Sequence, residues 1–363
     1  MRKYYLDTLR LMAIILVIFV HIFVIYSLLP FYIKVDISYP NSAYVSIFTL
    51  FLSVWLMPLL FTIAGMTTYY SFKKRNVKEY LKERVQRLLI PFIASIIFIT
   101  PILSYFGMIF HENISISFFD YYFISFTMIG DLVGYNGGLG VGHVWFILYL
   151  FIVSCLALLI IKLLKNRIDL SKKELSFPIL ILLGLIPVIT YPILNTFEDH
   201  SVGMYLALFL LGYYVLSNDN ILEKLEKNKI TLGILTLILT IIFIYIAGIV
   251  FGLGTIIPQT IAIPLLFFYQ VFYGWICILF LLVIGKLYLN KTNKILQYLS
   301  EASFSIYIFH MPILIAIAFY ILQFTQNVGI QMLSVLILTV PLSIGVYAFC
   351  KKFKITRFLF GIK

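Results

Sequence analysis

The stretch YYLDTLRLMAIILVIFVH, Tyr4 to His21, opens an apolar run that continues to Leu29. A run of about 20 mostly apolar residues is long enough to cross a bilayer as a helix. Two polar groups are set into this one, Arg10 at its start and His21 deep inside, eleven residues apart. At about 100° and 1.5 Å per residue, that spacing puts both on one face with a rise of roughly 16 Å. Ionisable side chains in hydrocarbon are costly and mark working sites by default. Taken alone, Arg10 also fits a topology anchor, and His21 a hydrogen bond to a neighbouring helix. The shared face favours a working site over both.

Composition extends the reading to the whole chain. Of 363 residues, 62% are hydrophobic and only 12% charged, with a net charge of +12. Soluble domains carry about twice that share of charge. The expected class is all-α, a polytopic membrane helical bundle forming one domain over residues 1–363, with no soluble domain. The first run is too long for the apolar core of a cleaved signal peptide, so it is expected to stay. The positive charge falls between apolar runs, which argues for membrane lipids as neighbours and against nucleic acid. Cys155, Cys277 and Cys350 lie in apolar runs without metal-ligand spacing and read as packing residues.

Ten span candidates follow, at roughly 8–29, 45–72, 88–110, 143–163, 177–194, 202–217, 230–251, 260–285, 303–323 and 331–350. The fifth carries three prolines and the sixth is short. With the N-terminus inside, all but Lys34 of the 27 Lys and Arg residues fall in segments on the same side. That asymmetry places both termini in the cytoplasm. The expected location is therefore a cell membrane, crossed many times. The longest outer loop, His111 to Gly142, holds Asp120, Asp131 and the stretch YNGGLGVGH, a composition suited to a lid or to an ordinary connector.

Further polar groups sit at span ends. With Val77 to Leu89 as a helix, Tyr80, Leu81, Val85, Leu88 and Leu89 form an apolar arc, with Arg84 inside it and Arg87 at its edge. Arginines there need an anion, either lipid headgroups or a phosphorylated ligand held bidentately. Arg10 opens at the same inner level, and three arginines fit a nucleotide-bearing ligand such as coenzyme A. His143 and Trp145 begin the fourth span at the outer interface. They read as a belt anchor or as a sugar platform, the indole stacking on a pyranose and His143 bonding a hydroxyl. His310, about nine residues into the ninth span, matches the depth of His21 or simply packs. Glu301 and Ser303 stand at the inner end of that span, where capping is ordinary. No Asp or Glu lies in the middle of any span, which weighs against a proton-coupled exporter.

The ordered pieces LDTLRLMAIILVIFVH, WLMPLLFTIAGMTTYYSFKKR, LKERVQRLLIPF, GHVWFILYLFIVS and LSEASFSIYIFHMPIL cover most of the chain. In this order the sequence resembles the acyltransferase-3 family of bacterial membrane O-acyltransferases. One family element, a Ser-Gly-Phe turn, reads Ala64-Gly65-Met66 here. The resemblance implies catalytic roles for His21 and Arg10; the residues themselves add Asp7, one turn before Arg10 and placed to orient it, and Glu301 as supporting groups. The resemblance also implies that Arg84 and Arg87, with Arg10, hold the acyl donor; that His143, Trp145 and His310 border the acceptor is read from the residues alone. No tightly bound cofactor or metal is implied; acyl-CoA is the donor substrate, acetyl or succinyl, and an extracytoplasmic carbohydrate the acceptor. His21 serves as general base or carries the acyl group itself, and the residues leave both routes open. The alternative reading is an exporter of a polysaccharide or lipid-linked sugar.

Overall fold

The computed structural model describes residues 3–128, 133–135, 137–164, 175–195 and 200–362. The loop residue Asp131 lies outside them. The described chain is helical: α1 (Tyr4–Val24), α2 (Asn41–Phe72), α3 (Val77–Arg84), α4 (Ile90–Phe98), α5 (Thr100–His111), α6 (Phe118–Ser125), α7 (Trp145–Leu164), α8 (Phe177–Leu182), α9 (Leu185–Thr190), α10 (Val202–Leu211), α11 (Asp219–Lys227), α12 (Lys229–Val250), α13 (Gln259–Tyr288), α14 (Lys294–Phe324), α15 (Val328–Cys350) and α16 (Lys354–Leu359). Two π-turns interrupt it, Val85–Leu89 between α3 and α4 and Gly212–Leu216 after α10.

Among the described residues, 8 helical stretches are long and apolar enough to cross a membrane. The fifth and sixth expected spans are instead the shorter apolar stretches Phe177–Thr190 and Val202–Leu216. At about 1.5 Å per residue, neither fills a hydrocarbon layer about 30 Å thick. Proline explains the first: Pro178 opens α8, and the chain breaks at Leu183–Gly184 before α9, which carries Pro187. The chain is thus a polytopic helical membrane protein.

Two compact units make up the fold. One holds Met1–Ala13, Leu50–Lys82 and Tyr149–Leu296; the other holds Ile14–Thr49, Glu83–Leu148 and Gln297–Lys363. In the first, backbones meet without side chains between them. A Cβ added to Gly65 would overlap the Phe209 carbonyl, and one added to Gly212 would overlap that of Thr62. Small residues allow this closeness, and apolar helices in lipid gain from it because burial itself offers little there. Gly65 therefore lies inside α2 rather than in a turn. Beside it, Phe61 and Tyr205 stack with ring centres 4.2 Å apart. On α13, the Trp275 indole N–H donates to the Leu180 carbonyl at 3.0 Å, a bond that fastens the short α8.

In the second unit, Tyr26 after α1 donates to the Gln331 side chain of α15 at 3.1 Å. The Ser46 hydroxyl of α2 accepts from the Leu28 N–H at 2.8 Å. α16 packs on α4, and Phe360 just past it meets Phe309 of α14, ring centres 4.9 Å apart. These contacts hold α1, α14 and the loop after α1 around one core.

Gly65→Ala should push α2 and α10 apart and cost about 1–3 kcal/mol, the usual range for overpacking. Gly345→Ala, with nothing within 4 Å of an added Cβ, should be neutral or stabilising. Thermal unfolding of the detergent-solubilised protein checks the pair. Equal melting temperatures for the two variants would contradict the close approach.

Candidate active site

The site is built on one turn of α14. Pro312 lies inside that helix. Proline has no N–H, so the carbonyl four residues earlier, that of Ile308, loses its helical donor. His143 supplies a replacement, its Nε2–H donating to Ile308 O at 3.0 Å. His310 donates from Nδ1 to the Tyr307 carbonyl at 2.7 Å. The Tyr307 hydroxyl in turn donates to the backbone carbonyl of His143. One helical turn thereby orients two imidazoles, both buried.

These partners assign the protons. A carbonyl oxygen only accepts, so in a neutral imidazole the nitrogen facing it carries the hydrogen. His310 is therefore protonated at Nδ1 and bears a lone pair at Nε2. His21 Nδ1 lies 3.0 Å from that Nε2 and must be the donor. The remaining nitrogen of His21, Nε2, is then the lone-pair side. The result is a relay in which His21 donates to His310 and His310 donates to the Tyr307 carbonyl. Such an arrangement can take a proton from an alcohol at His21 and delocalise the charge along the chain. By the same logic His143, a donor through Nε2, carries its lone pair on Nδ1. The His310 ring touches both neighbours, stacked at 5.2 Å on His21 and edge-on at 5.4 Å to His143.

The loop after α1 folds back over this group. The Phe31 ring lies nearly parallel to the His21 ring, 5.9 Å away. His111 Nε2–H, at the end of α5, donates to the Phe31 carbonyl at 3.1 Å. The next residue, Tyr32, donates from its hydroxyl to the Val133 carbonyl at 2.7 Å. Gly142 has φ +45° beside that hydroxyl, where a Cβ would come within 2.8 Å. Only glycine takes that backbone without strain. His21 as a whole is half-buried.

Of the residues singled out in the sequence, His21, His310 and His143 are brought together in one unit. Trp145 is also in that unit but only 9% exposed, edge-on to Phe146. The indole is thus packed against the protein, just after the 3-10 turn Gly142–Val144. Arg84 ends α3, half-buried, and Arg87 falls inside the π-turn, its Nε 3.3 Å from Glu83. Val85, expected in the apolar arc, is 37% exposed. The wider π-turn rotates the residues that follow away from α-helical phase. In the other unit Arg10 pairs with Asp7 at 3.1 Å, the contact expected from their spacing. Glu301 does not stand at a helix start. α14 begins at Lys294, capped by the Asn293 side chain on the Leu296 N–H, because the helix-favouring run KILQYL extends it inward. Glu301 instead faces Lys351 at 3.8 Å, well exposed and apart from the imidazoles. Sequence reading missed Tyr307, Phe31 and His111; the spacing Ile308 to Pro312 was the available signal. Among the described residues no group of three or more His, Cys, Asp or Glu could hold a metal ion.

Comparison with known proteins agrees with this architecture. The family described as an acyltransferase domain matches residues 3–348. Glucans biosynthesis protein C of Escherichia coli O139:H28 is 25% identical over 100% of this chain and 95% of its own length. The protein of the same name from Escherichia coli (strain K12) is 27% identical over 47% of this chain and 42% of its own. The chain thus spans less than half the length of the first curated relatives it matches. No solved structure matches it. A family match running almost from end to end, on an apolar helical fold, means that the chain belongs to the acyltransferase-3 family.

Proposed function

We propose that this protein moves an acyl group, acetyl or succinyl, from cytoplasmic acyl-CoA to a hydroxyl of an extracytoplasmic glycan. The observation that carries the reading is the relay from His21 through His310 to the Tyr307 carbonyl. It leaves His21 Nε2 as a base with a fixed direction. The acceptor hydroxyl gives its proton to Nε2 as its oxygen attacks the thioester carbonyl. The tetrahedral intermediate collapses, the carbon–sulfur bond breaks, and the imidazolium returns the proton to the leaving thiolate. His310 plays the orienting part that a carboxylate plays in a hydrolase triad, with a neutral acceptor in place of a charged one.

The donor is held by charge. Arg84 and Arg87 bind the coenzyme phosphates on the side of the membrane where the Lys and Arg residues concentrate, a distribution that supports a cytoplasmic donor. Glu83 keeps the Arg87 guanidinium group in place until phosphate arrives. The name of the relatives, which speaks of glucan biosynthesis, supports a polysaccharide acceptor. With the termini inside, the protein resides in a bacterial cytoplasmic membrane.

His21→Ala should lower transfer by about 10²–10⁴-fold, the usual worth of a general base. Mass spectrometry of surface glycans from cells making this variant reads the result. Normal acylation ends the proposal, and a surface polymer missing altogether points to export instead. His310→Phe removes the acceptor for His21 Nδ1–H while keeping ring volume. Transfer should fall about 10- to 100-fold, as for a conserved outer-shell partner of a histidine, with the protein still folded. Arg84→Ala and Arg87→Ala should weaken acyl-CoA binding and flatten its dependence on salt. Calorimetric affinities that do not change would leave those arginines as lipid anchors.

A further inference from the structure

His143 carries a feature that the acyl-transfer relay does not use. Its Nε2–H is committed to the Ile308 carbonyl, which Pro312 has left without a helical donor. Its Nδ1 must therefore be a lone pair. That atom is buried and, among the described residues, has no hydrogen-bond partner, in a side chain only 5% exposed. Buried polar atoms in native proteins are almost always satisfied, so a lone acceptor held this firmly calls for a donor that the described residues do not supply. The ring cannot flip to relieve it, because flipping would strand the Ile308 carbonyl. The His143 backbone is fixed as well, by the Tyr307 hydroxyl.

An acceptor nitrogen selects its ligand by chemistry. It takes O–H or N–H and rejects carbonyl oxygen, thioester sulfur and phosphate. The reacting end of an acyl donor offers only acceptors, whereas a sugar offers several adjacent hydroxyls. The His143 and His21 rings both pack on His310, so a polyol held at one stays beside the other. We infer that His143 Nδ1 is a subsite for a second hydroxyl of the acyl acceptor, which makes the substrate class a polyol rather than a simple alcohol. The inference rests on the acyl-transfer reading. It goes further by giving His143 a direct contact with the acceptor and by requiring two hydroxyls, one that reacts at His21 and one that anchors at His143.

The test compares His143→Phe, which keeps ring volume and loses both nitrogens, with His143→Gln. Glutamine can donate to the Ile308 carbonyl and still present an acceptor oxygen. Both are made in the full chain, and three quantities are read: acyl groups on surface glycans by mass spectrometry, affinity for acetyl-CoA and succinyl-CoA, and melting temperature. The expected result is at least a tenfold loss of glycan acylation in His143→Phe and substantial recovery in His143→Gln, with donor affinity unaltered in both. Acylation within twofold of wild type in His143→Phe overturns the inference. So does a glutamine variant as impaired as the phenylalanine one, which would mean a packing role. Weakened donor affinity overturns it too, by turning Nδ1 toward an N–H of the coenzyme chain. Unacylated glycans in wild-type cells would instead remove the parent reading, and this one with it.

Discussion

A backbone carbonyl in the middle of a lipid-embedded helix has to find a donor, and in α14 the ordinary one is missing. Ile308 is fully buried, and an unsatisfied carbonyl there costs several kcal/mol. Pro312 withholds the N–H that Ile308 would use, and the His143 imidazole answers it. This single substitution of side chain for backbone ties the start of α7 to α14. It also dictates which nitrogen of His143 carries the hydrogen. One turn away, His310 makes a second side-chain claim on the backbone, at Tyr307. The chemistry proposed for His21 depends on these two anchors, since a freely rotating His310 could present either nitrogen.

The second organising constraint is distance between backbones. In lipid, apolar side chains gain little by meeting one another, so tight van der Waals contact matters more. Gly65 and Gly212 permit that contact between α2 and α10, and Gly274 of α13 repeats it against the Val54 carbonyl at 2.8 Å. The short α8, α9 and α10 are held by such contacts and by the Trp275 indole bond. Elements too short to be stable spans alone are thus secured by their neighbours.

Much of this was legible before any coordinates. His21 and His310 stand out because polar groups in apolar runs are rare, and the ten runs are recovered as 8 long and two short stretches. The pairing of Arg10 with Asp7 follows from their position on one helix face. What failed did so for local reasons. Glu301 was placed at a helix start because the apolar run begins near it, yet backbone propensity carries α14 two turns further. The π-turn at Val85 has no sequence signature, so the arc drawn for a regular helix does not hold there. The loop contacts of Phe31 and His111 join residues 80 apart, beyond any periodicity.

The parallel Phe31 ring has a kinetic corollary. Its own carbonyl is moored by His111 and its neighbour Tyr32 is moored to Val133, so the peptide chain at this point is pinned on both sides. Uncovering the imidazole face beneath it therefore calls for rotation about the side-chain bonds of one residue. That ring is buried and packs on Tyr32 and Tyr135, so its rotation has to displace its neighbours and is slower than the picosecond-to-nanosecond flips of exposed side chains. The cover over His21 is thus a shutter on a fixed frame, whose opening is set by the packing of neighbouring rings rather than by displacement of the loop.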